Sequence, residues 1–387
     1  MKKIKSAIIG SGFMGSAHAE ALMRIGGVEI IAIASNDLNG AKKLAEKYNI
    51  PNIYEKWEYL IDNKEVEVIH NCTPNYLHYE INKSAILQGK HVISEKPLTI
   101  NSEQSQELVE LVKQKGTINA VNFNYRFYPL VQHLKSIINK GDLGELYFIY
   151  GYYLQDWLFY KTDYNWRLET EMSGDSRAIA DIGSHWCDLI QFLTGKRIKK
   201  VLANLFTIHK TRYKPETEVE TFKEKEISHL SNVKEIQIET EDCGTVIFQL
   251  EDGINGTFTV SQISAGRKNQ FFFEINGSEK SIAWAQEEPN KLWIGYRNKP
   301  NEILIKDPSL IDKGAKRYVH YPGGHPEGYP DCFKNLFNEF YDLVRTGKGI
   351  SNEANRHFAT FEDGLYLNKI VEAIIRSNKE KKWINID

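Results

Sequence analysis

A chain of 387 residues exceeds the ~100–200 residues of an ordinary domain, so two domains are expected. Hydrophobic residues make up 41% and charged residues 26%, an ordinary globular balance, and a formal net charge of −2 gives no field that would recruit nucleic acid or an anionic membrane. Cys72, Cys187, Cys243 and Cys332 lie far apart without a CxxC pair, which argues against a disulfide framework and a structural zinc site, so no metal is expected. The opening MKKIKSAIIGSG places lysines before an apolar run, but Ala7–Gly10 is too short for the apolar core of a secretion signal. No stretch approaches the ~18 apolar residues of a membrane span. A soluble, cytoplasmic protein is the expectation.

The first third alternates strand and helix. Ile4–Ile9 is a short apolar run, and Ser16–Ile25 follows as a helix with Ala17, Ala21 and Leu22 on one side. Val28–Ala34 is nearly all aliphatic, as a strand buried on both faces should be. Leu38–Tyr48 is helical in composition, and Val66–Asn71, His91–Ser94 and Thr117–Val121 read as further strands. Helices at Tyr76–Gln88 and Ser102–Lys115 fill the gaps. Strands separated by helices of this length predict parallel βαβ units and an α/β, doubly wound domain over residues 1–124.

After Asn124 the pattern changes. Val131–Ile138 and Ile182–Leu193 read as helices, the second stopped by Thr194-Gly195, and Glu145–Tyr153 reads as a long aromatic strand. Val201–Ile208, Thr245–Leu250, Ile254–Ile263, Gln270–Ile275, Ser281–Ala285 and Lys291–Tyr296 are strand runs with little helix between them. Asp252-Gly253 and Asn276-Gly277 read as hairpin turns. An α+β domain with an open, mostly antiparallel sheet is therefore expected over residues 125–387. His209–Asp242, rich in Lys and Glu, reads as a charged, solvated excursion between strands. Cys332–Val344 and Phe358–Ile375 return to helical spacing.

Gly10-Ser11-Gly12-Phe13-Met14-Gly15 matches G-x-G-x-x-G. The first glycine permits a tight turn, the second lets a pyrophosphate approach the backbone, and the third lets helix pack on strand. The turn follows an aliphatic strand and opens a helix, whose N-terminus favours phosphate. This predicts a nicotinamide dinucleotide, NAD or NADP. An acid about 20 residues on would ordinarily bind the adenine ribose. Here the second strand ends Ala34-Ser35-Asn36-Asp37. Ser35 does not repel a 2′-phosphate, Asn36 carries no charge to bind one, Lys42 and Lys43 are near in sequence, and Asp37 lies further round the turn. The choice between NAD and NADP stays open.

Further segments extend the pattern. Thr73-Pro74-Asn75 follows one strand with His78 close behind, Glu95-Lys96-Pro97 follows the next, and Asp181-Ile-Gly-Ser-His185 lies in the second domain. With the phosphate turn, this series resembles the glucose–fructose oxidoreductase / inositol dehydrogenase / MocA (Gfo/Idh/MocA) family across essentially the whole chain. The resemblance implies a Rossmann domain followed by an open-faced sheet domain, sugar or cyclitol substrates, and a cis peptide at Lys96-Pro97. It also implies a catalytic set of Lys96, Asp181 and His185.

The residue chemistry points the same way. Oxidising a secondary alcohol requires hydride loss and proton loss, and a histidine is suited to take the proton near neutral pH. Asp181, four residues before His185, shares a helix face with it and can orient the imidazole; Asp188, three residues after, is the alternative partner. Lys96, at the carboxyl end of a strand, can polarise the reacting oxygen. Read structurally, His185 is a packed helix residue, Asp181 a helix-terminal carboxylate and Lys96 a surface lysine. Asn124, Tyr125 and Arg126 are expected to face the cofactor and substrate, or else only to pack and form salt bridges. Trp166-Arg167 resembles a family pair near the nicotinamide, with a surface stack as the plain alternative. His325 carries over from related sugar dehydrogenases as a substrate contact, against a solvent-facing loop histidine. Thr73, Pro74, Asn75, His78 and Glu95 are expected to line the cofactor site.

The expected activity is NAD(P)-dependent oxidation of a secondary hydroxyl of a sugar, glycoside or cyclitol, with His185 as general acid/base. Two alternatives share the architecture: an NAD-dependent glycosidase without net redox change, and a non-catalytic cofactor-binding sensor. A large apolar sheet face does not stay bare in water, which predicts a homodimer or homotetramer joined through the second-domain sheet.

Overall fold

A computed structural model describes residues 3–215, 233–346 and 356–386. The chain divides into two compact units: Met1–Phe127 with Tyr329–Asn368, and Tyr128–Gly328 with Lys369–Asp387.

The first unit is built on six parallel strands: β1 (Ile4–Ile9), β2 (Val28–Ala34), β3 (Asn52–Tyr54), β4 (Val68–Asn71), β5 (His91–Ser94) and β6 (Asn119–Val121). Helices α1 (Phe13–Met23), α2 (Leu38–Tyr48), α3 (Trp57–Asp62), α4 (Asn75–Leu87) and α5 (Ser102–Lys115) connect them. The strand order is β3-β2-β1-β4-β5-β6. Ala7, Ile8, Ile33, Val68, Ile69, Val92 and Ile93 are wholly buried, so the aliphatic runs are covered on both faces, as expected. The order reverses between β1 and β4, and ligands of doubly wound sheets bind beyond the carboxyl ends of strands at such a switch point. Short β3 and α3 escape sequence reading because neither is long enough to show a period.

The second unit carries α6 (Pro129–Asn139), β7 (Leu146–Leu154), the single turn α7 (Thr170–Ser173) and α8 (Ser184–Thr194). There follow β8 (Ile198–Phe206), β9 (Thr211–Pro215), β10 (Val233–Gln237), β11 (Cys243–Leu250), β12 (Asn255–Ser261), β13 (Gln270–Gly277), β14 (Ser281–Ala285), β15 (Lys291–Gly295) and β16 (Glu302–Ile305). A nine-stranded sheet runs β16-β15-β14-β13-β7-β12-β11-β8-β17, closed by β17 (Ile384–Asn385). Its pairs are antiparallel except β12 with β7. Trp186 on α8 stacks on Phe258 at 4.6 Å and donates to the Phe272 carbonyl at 3.1 Å. Gly151 leaves room for that contact, since a Cβ there would lie 2.8 Å from the Trp186 indole nitrogen.

Three features differ from the sequence expectations. The stretch expected to close the second domain returns instead to the first unit. There α9 (Tyr329–Thr346) buries Cys332, Phe333, Leu336, Phe337, Phe340 and Tyr341 at helical spacing, Asp331 pairs with Arg24, and Val121 donates to the Ala359 carbonyl at 2.8 Å. Helix α10 (Phe361–Glu380) then runs from the first unit's residues into the second's. The Asn276-Gly277 pair is not the hairpin turn: Gly277 ends β13 opposite Leu146, where a Cβ would run into the Leu143 carbonyl, and residues 278–280 turn. Asp252-Gly253 does turn the chain between β11 and β12, with Gly253 at φ +92°.

The charged excursion is the third difference. β9 and β10 pair as a two-stranded antiparallel sheet, and residues 216–232 lie outside the described residues. Its ends are not solvated: Arg212, Thr240, Glu241 and Asp242 are all buried. Arg212 and Asp242 pair there and Glu241 accepts hydrogen bonds from Ser176 and two backbone amides, which offsets the cost of taking them out of water.

Candidate functional site

In the first unit the glycine turn divides its labour as the motif requires. Gly10 sits at φ +106°, and a Cβ on it would lie 2.6 Å from the Cys72 carbonyl oxygen at the end of β4. Gly15 packs so closely that a Cβ would run into the Gly10 carbonyl. A Cβ on Gly12 would meet nothing within 4 Å, so the middle glycine faces open space. No side chain caps α1 and its first turn holds no acidic residue, so the positive helix end at Phe13 and Met14 is not neutralised from within. Such a cradle fits a pyrophosphate.

At the end of β2, Ser35 shares a hydrogen bond with Ser11 at 2.9 Å and accepts from the Asp37 amide at 3.2 Å. Asp37 accepts from the Gly40 amide at 3.0 Å and caps α2. Its carboxylate has a structural partner, in line with its place beyond the strand end. Asn36 is exposed.

The turns after β4 and β5 are tied together by His78. Its ring nitrogens lie 2.7 Å from the Pro97 carbonyl and 2.8 Å from the Thr73 carbonyl, and burial holds its pKa below the usual range. Thr73 donates to Asn71 at 2.7 Å, and Asn71 reaches through Asn82 to Ser94. Pro74 precedes α4 as its N-cap and Asn75 is buried at the helix start. Lys96 follows β5, half-buried, and its bond to Pro97 is cis, as the resemblance implied.

Sequence reading missed a buried chain beside this turn. Glu95 lies 3.0 Å from His18 Nε2 and accepts from Asn122 at 2.5 Å. His18 Nδ1 is 2.9 Å from His70 Nδ1, and His70 Nε2 is 2.8 Å from the Tyr341 hydroxyl. Burial and the neighbouring His18 push His70 well down, so His70 is held neutral. Burial alone would raise Glu95, but the His18 bond and charge, Asn122 and Lys96 outweigh it and hold its pKa below the usual carboxylate range. The signal was present as polar residues inside otherwise aliphatic elements, His70 in β4 and His18 on the buried side of α1.

Asn124, Tyr125 and Arg126 form a buried 3₁₀ turn in the same unit. Asn124 donates to the Cys332 sulfur at 3.2 Å, while Arg126 donates to the His357 carbonyl at 3.2 Å and lies 3.6 Å from Asp363.

In the second unit Asp181 sits in a π turn, Ile179–Gly183, that runs directly into α8. The expected helix therefore begins earlier and with a wider first turn; such turns recur at functional sites. Asp181 pairs with Arg167 at 3.2 Å through one oxygen and accepts from Gln262 at 2.9 Å through the other. Arg167 lies over the Trp166 ring at 4.3 Å, so this pair serves the carboxylate as well as stacking. His185 is buried one turn on, its ring 6.3 Å from that of Tyr153, and Asp188 is buried behind it. His325 is exposed on a loop whose base is fixed by the buried Lys306–Glu327 pair at 2.6 Å and by Lys306 donating to the His325 carbonyl at 2.8 Å. Among the described residues no group of three or more His, Cys, Asp or Glu is placed to hold a metal, and no helix is long and apolar enough to cross a membrane.

Residues 4–123 match the oxidoreductase family with an NAD-binding Rossmann fold, and residues 131–283 match the GFO/IDH/MocA C-terminal domain. The chain belongs to the Gfo/Idh/MocA family. It is an NAD-binding oxidoreductase of that family, with the Rossmann unit and mixed-sheet unit the sequence implied. One Gfo/Idh/MocA relative, levoglucosan dehydrogenase of Pseudarthrobacter phenanthrenivorans, is 27% identical across 100% of this chain and 99% of its own. The D-glucoside 3-dehydrogenase of Escherichia coli is 29% identical over 52% of this chain and 58% of its own. A solved levoglucosan dehydrogenase in complex with NADH and L-sorbose superposes with a TM-score of 0.87 at 26% identity, covering 100% of both chains.

Proposed function

We propose that this enzyme oxidises a secondary hydroxyl of a sugar, glycoside or cyclitol with NAD(P), His185 acting as general base and, in reverse, general acid. The observation that carries the reading is the Asp181 carboxylate, held by Arg167 and Gln262 one turn ahead of a buried histidine. Relatives named for levoglucosan and D-glucosides support a neutral sugar-like substrate. Bound NAD supplies the hydride acceptor. Lys96 polarises the reacting oxygen and lowers the pKa of the hydroxyl. Asp181 orients the imidazole and stabilises its charged form. Tyr125, Arg126 and His325 would contact the sugar, Trp166 with Arg167 would border the nicotinamide, and Ser35 and Asn36 would hold the adenine ribose.

The test is net NADH formation across a panel of free sugars, glycosides and cyclitols. Formation with the wild type, lost in Lys96→Ala and His185→Ala while NAD still binds, supports the reading. Sugar release from a glycoside without NADH favours the glycosidase instead.

The same reading includes a homo-oligomer, formed in the cytoplasm. The nine-stranded sheet presents Phe148, Tyr150, Tyr152, Phe272 and Ile247 on the face opposite α8, with Tyr152 and Phe272 stacked at 5.1 Å. A second copy covers this face as dimer or tetramer. A monomer by sedimentation at micromolar concentration overturns that part.

A further inference from the structure

The charged excursion has no role in the proposed chemistry, yet it reaches Asp181 through Gln262. Gln262 is wholly buried and follows β12 directly. Its carbonyl oxygen accepts from Arg177 Nη1 at 3.1 Å, and its amide nitrogen donates to Asp181 at 2.9 Å. The direction of this amide is fixed by chemistry. A guanidinium only donates, so the oxygen must face Arg177, and the nitrogen must then face Asp181. The arrangement therefore favours the ionised, accepting form of that carboxylate.

Arg177 is itself held by the excursion. Its Nη2 donates to Asp242 at 2.5 Å and its Nε to the Thr240 hydroxyl at 3.2 Å. Arg212 on β9 donates to the same Asp242 oxygen at 2.8 Å, and to the Leu158 and Tyr160 carbonyls at 2.8 Å each. Glu241 accepts from the Ser176 hydroxyl at 2.8 Å and from the Arg177 and Ile179 amides at 3.0 and 2.8 Å, pinning the entry to the π turn. Asp181 thus sits at the end of a continuous buried chain, Arg212–Asp242–Arg177–Gln262–Asp181.

We infer that Arg177 and Gln262 are positioning residues for the reaction, acting through Asp181, and that the ends of the 209–242 excursion are the scaffold that holds them. The inference rests on the reading of Asp181 as the partner of His185. A packed polar network of this kind has two well-defined ends, and a change at Gln262 reaches the base only through the carboxylate it orients. Arg167 holds the second carboxylate oxygen of Asp181.

The test is a double-mutant cycle in the full-length protein between Gln262→Leu and Asp181→Asn, read on kcat and on Tm. Alone, Gln262→Leu should lower kcat roughly tenfold or more, because an oriented base contributes ~10²–10⁴-fold. The KM for NAD should not change, and the acid limb of kcat/KM should move to higher pH. In the Asp181→Asn background the same substitution should change kcat less than about twofold. Equal effects in both backgrounds, with an unshifted pH profile, overturn the inference. Should Gln262→Leu fail to fold, Gln262→Glu keeps an acceptor for Arg177 but turns a carboxylate toward Asp181, and should shift the acid limb further. Gln262→Glu with wild-type kcat and profile also overturns it. If the wild type makes no NADH from any sugar, the proposed reaction falls, and the Tm cycle still decides whether residues 262 and 181 are coupled: additive losses of Tm refute the chain.

Discussion

Replacing Asp242 by Asn removes the counter-charge that two buried guanidinium groups share. Its Oδ1 accepts from Arg177 and Arg212 at 2.5 and 2.8 Å, and its Oδ2 from the Ile208 and His209 amides at 2.7 and 2.8 Å. Asparagine offers one carbonyl oxygen to these four donors, and no charge. Breaking a buried ion pair by removing one partner costs about 3–5 kcal/mol. For a unit of this size each kcal/mol shifts Tm by ~2–4 °C, so a loss of ~6–20 °C is expected by calorimetry at pH 7. The control is Asp252→Asn in the solvent-facing Lys196–Asp252 pair, worth ~0–1 kcal/mol. Burial alone would raise the Asp242 pKa, but the Arg177 charge, the His209 amide and the two guanidinium bonds outweigh it and hold it below the usual value. A depressed folded pKa gives stability that is present above the unfolded value of ~3.9 and lost as pH falls through the folded one. The gap in Tm between wild type and Asp242→Asn should therefore narrow below about pH 4. A loss no larger than the control's, or a gap that stays constant into acid, would refute this account of the network.

The three glycines of the phosphate turn should respond differently. Gly12→Val has room in the protein, so Tm should stay within ~2 °C while NAD affinity falls at least roughly tenfold by calorimetric titration. Gly15→Ala, which drives a Cβ into the Gly10 carbonyl, should instead lower Tm; the reverse ranking contradicts the assignment. Asp37→Ala should cost ~1 kcal/mol through loss of the α2 cap with unchanged NAD affinity, and a large loss of affinity would show that Asp37 holds the ribose. Glu95→Gln should weaken the His18 bond and leave a folded protein with lowered kcat at unchanged NAD affinity; wild-type kcat would remove Glu95 from the support of the Lys96 turn.

Much of this was legible in the sequence because the decisive signals are local. The glycine spacing, the aliphatic runs of β1 and β2, and helices such as Leu38–Tyr48 and Ser102–Lys115 state their own conformation. The Asp181–His185 spacing was readable too, although the π turn that carries it was not, since one extra residue per turn leaves no mark in composition. What stayed hidden depends on distant partners. Tyr341 joins His70 across 271 positions, and Gln262 meets Asp181 across 81. The excursion read as solvated because Lys and Glu dominate it. Its buried members, Arg212 and Asp242, are charged as well and differ only in what they face.

We propose that this Gfo/Idh/MocA oxidoreductase moves a hydride between NAD and a sugar-like hydroxyl through Lys96, Asp181 and His185. Its most direct test is nicotinamide absorbance with the purified protein, NAD and a panel of sugars, glycosides and cyclitols. NADH should form with at least one panel member, and its formation should be abolished in His185→Ala although NAD still raises that variant's Tm. Undiminished NADH formation by His185→Ala and Lys96→Ala would contradict it.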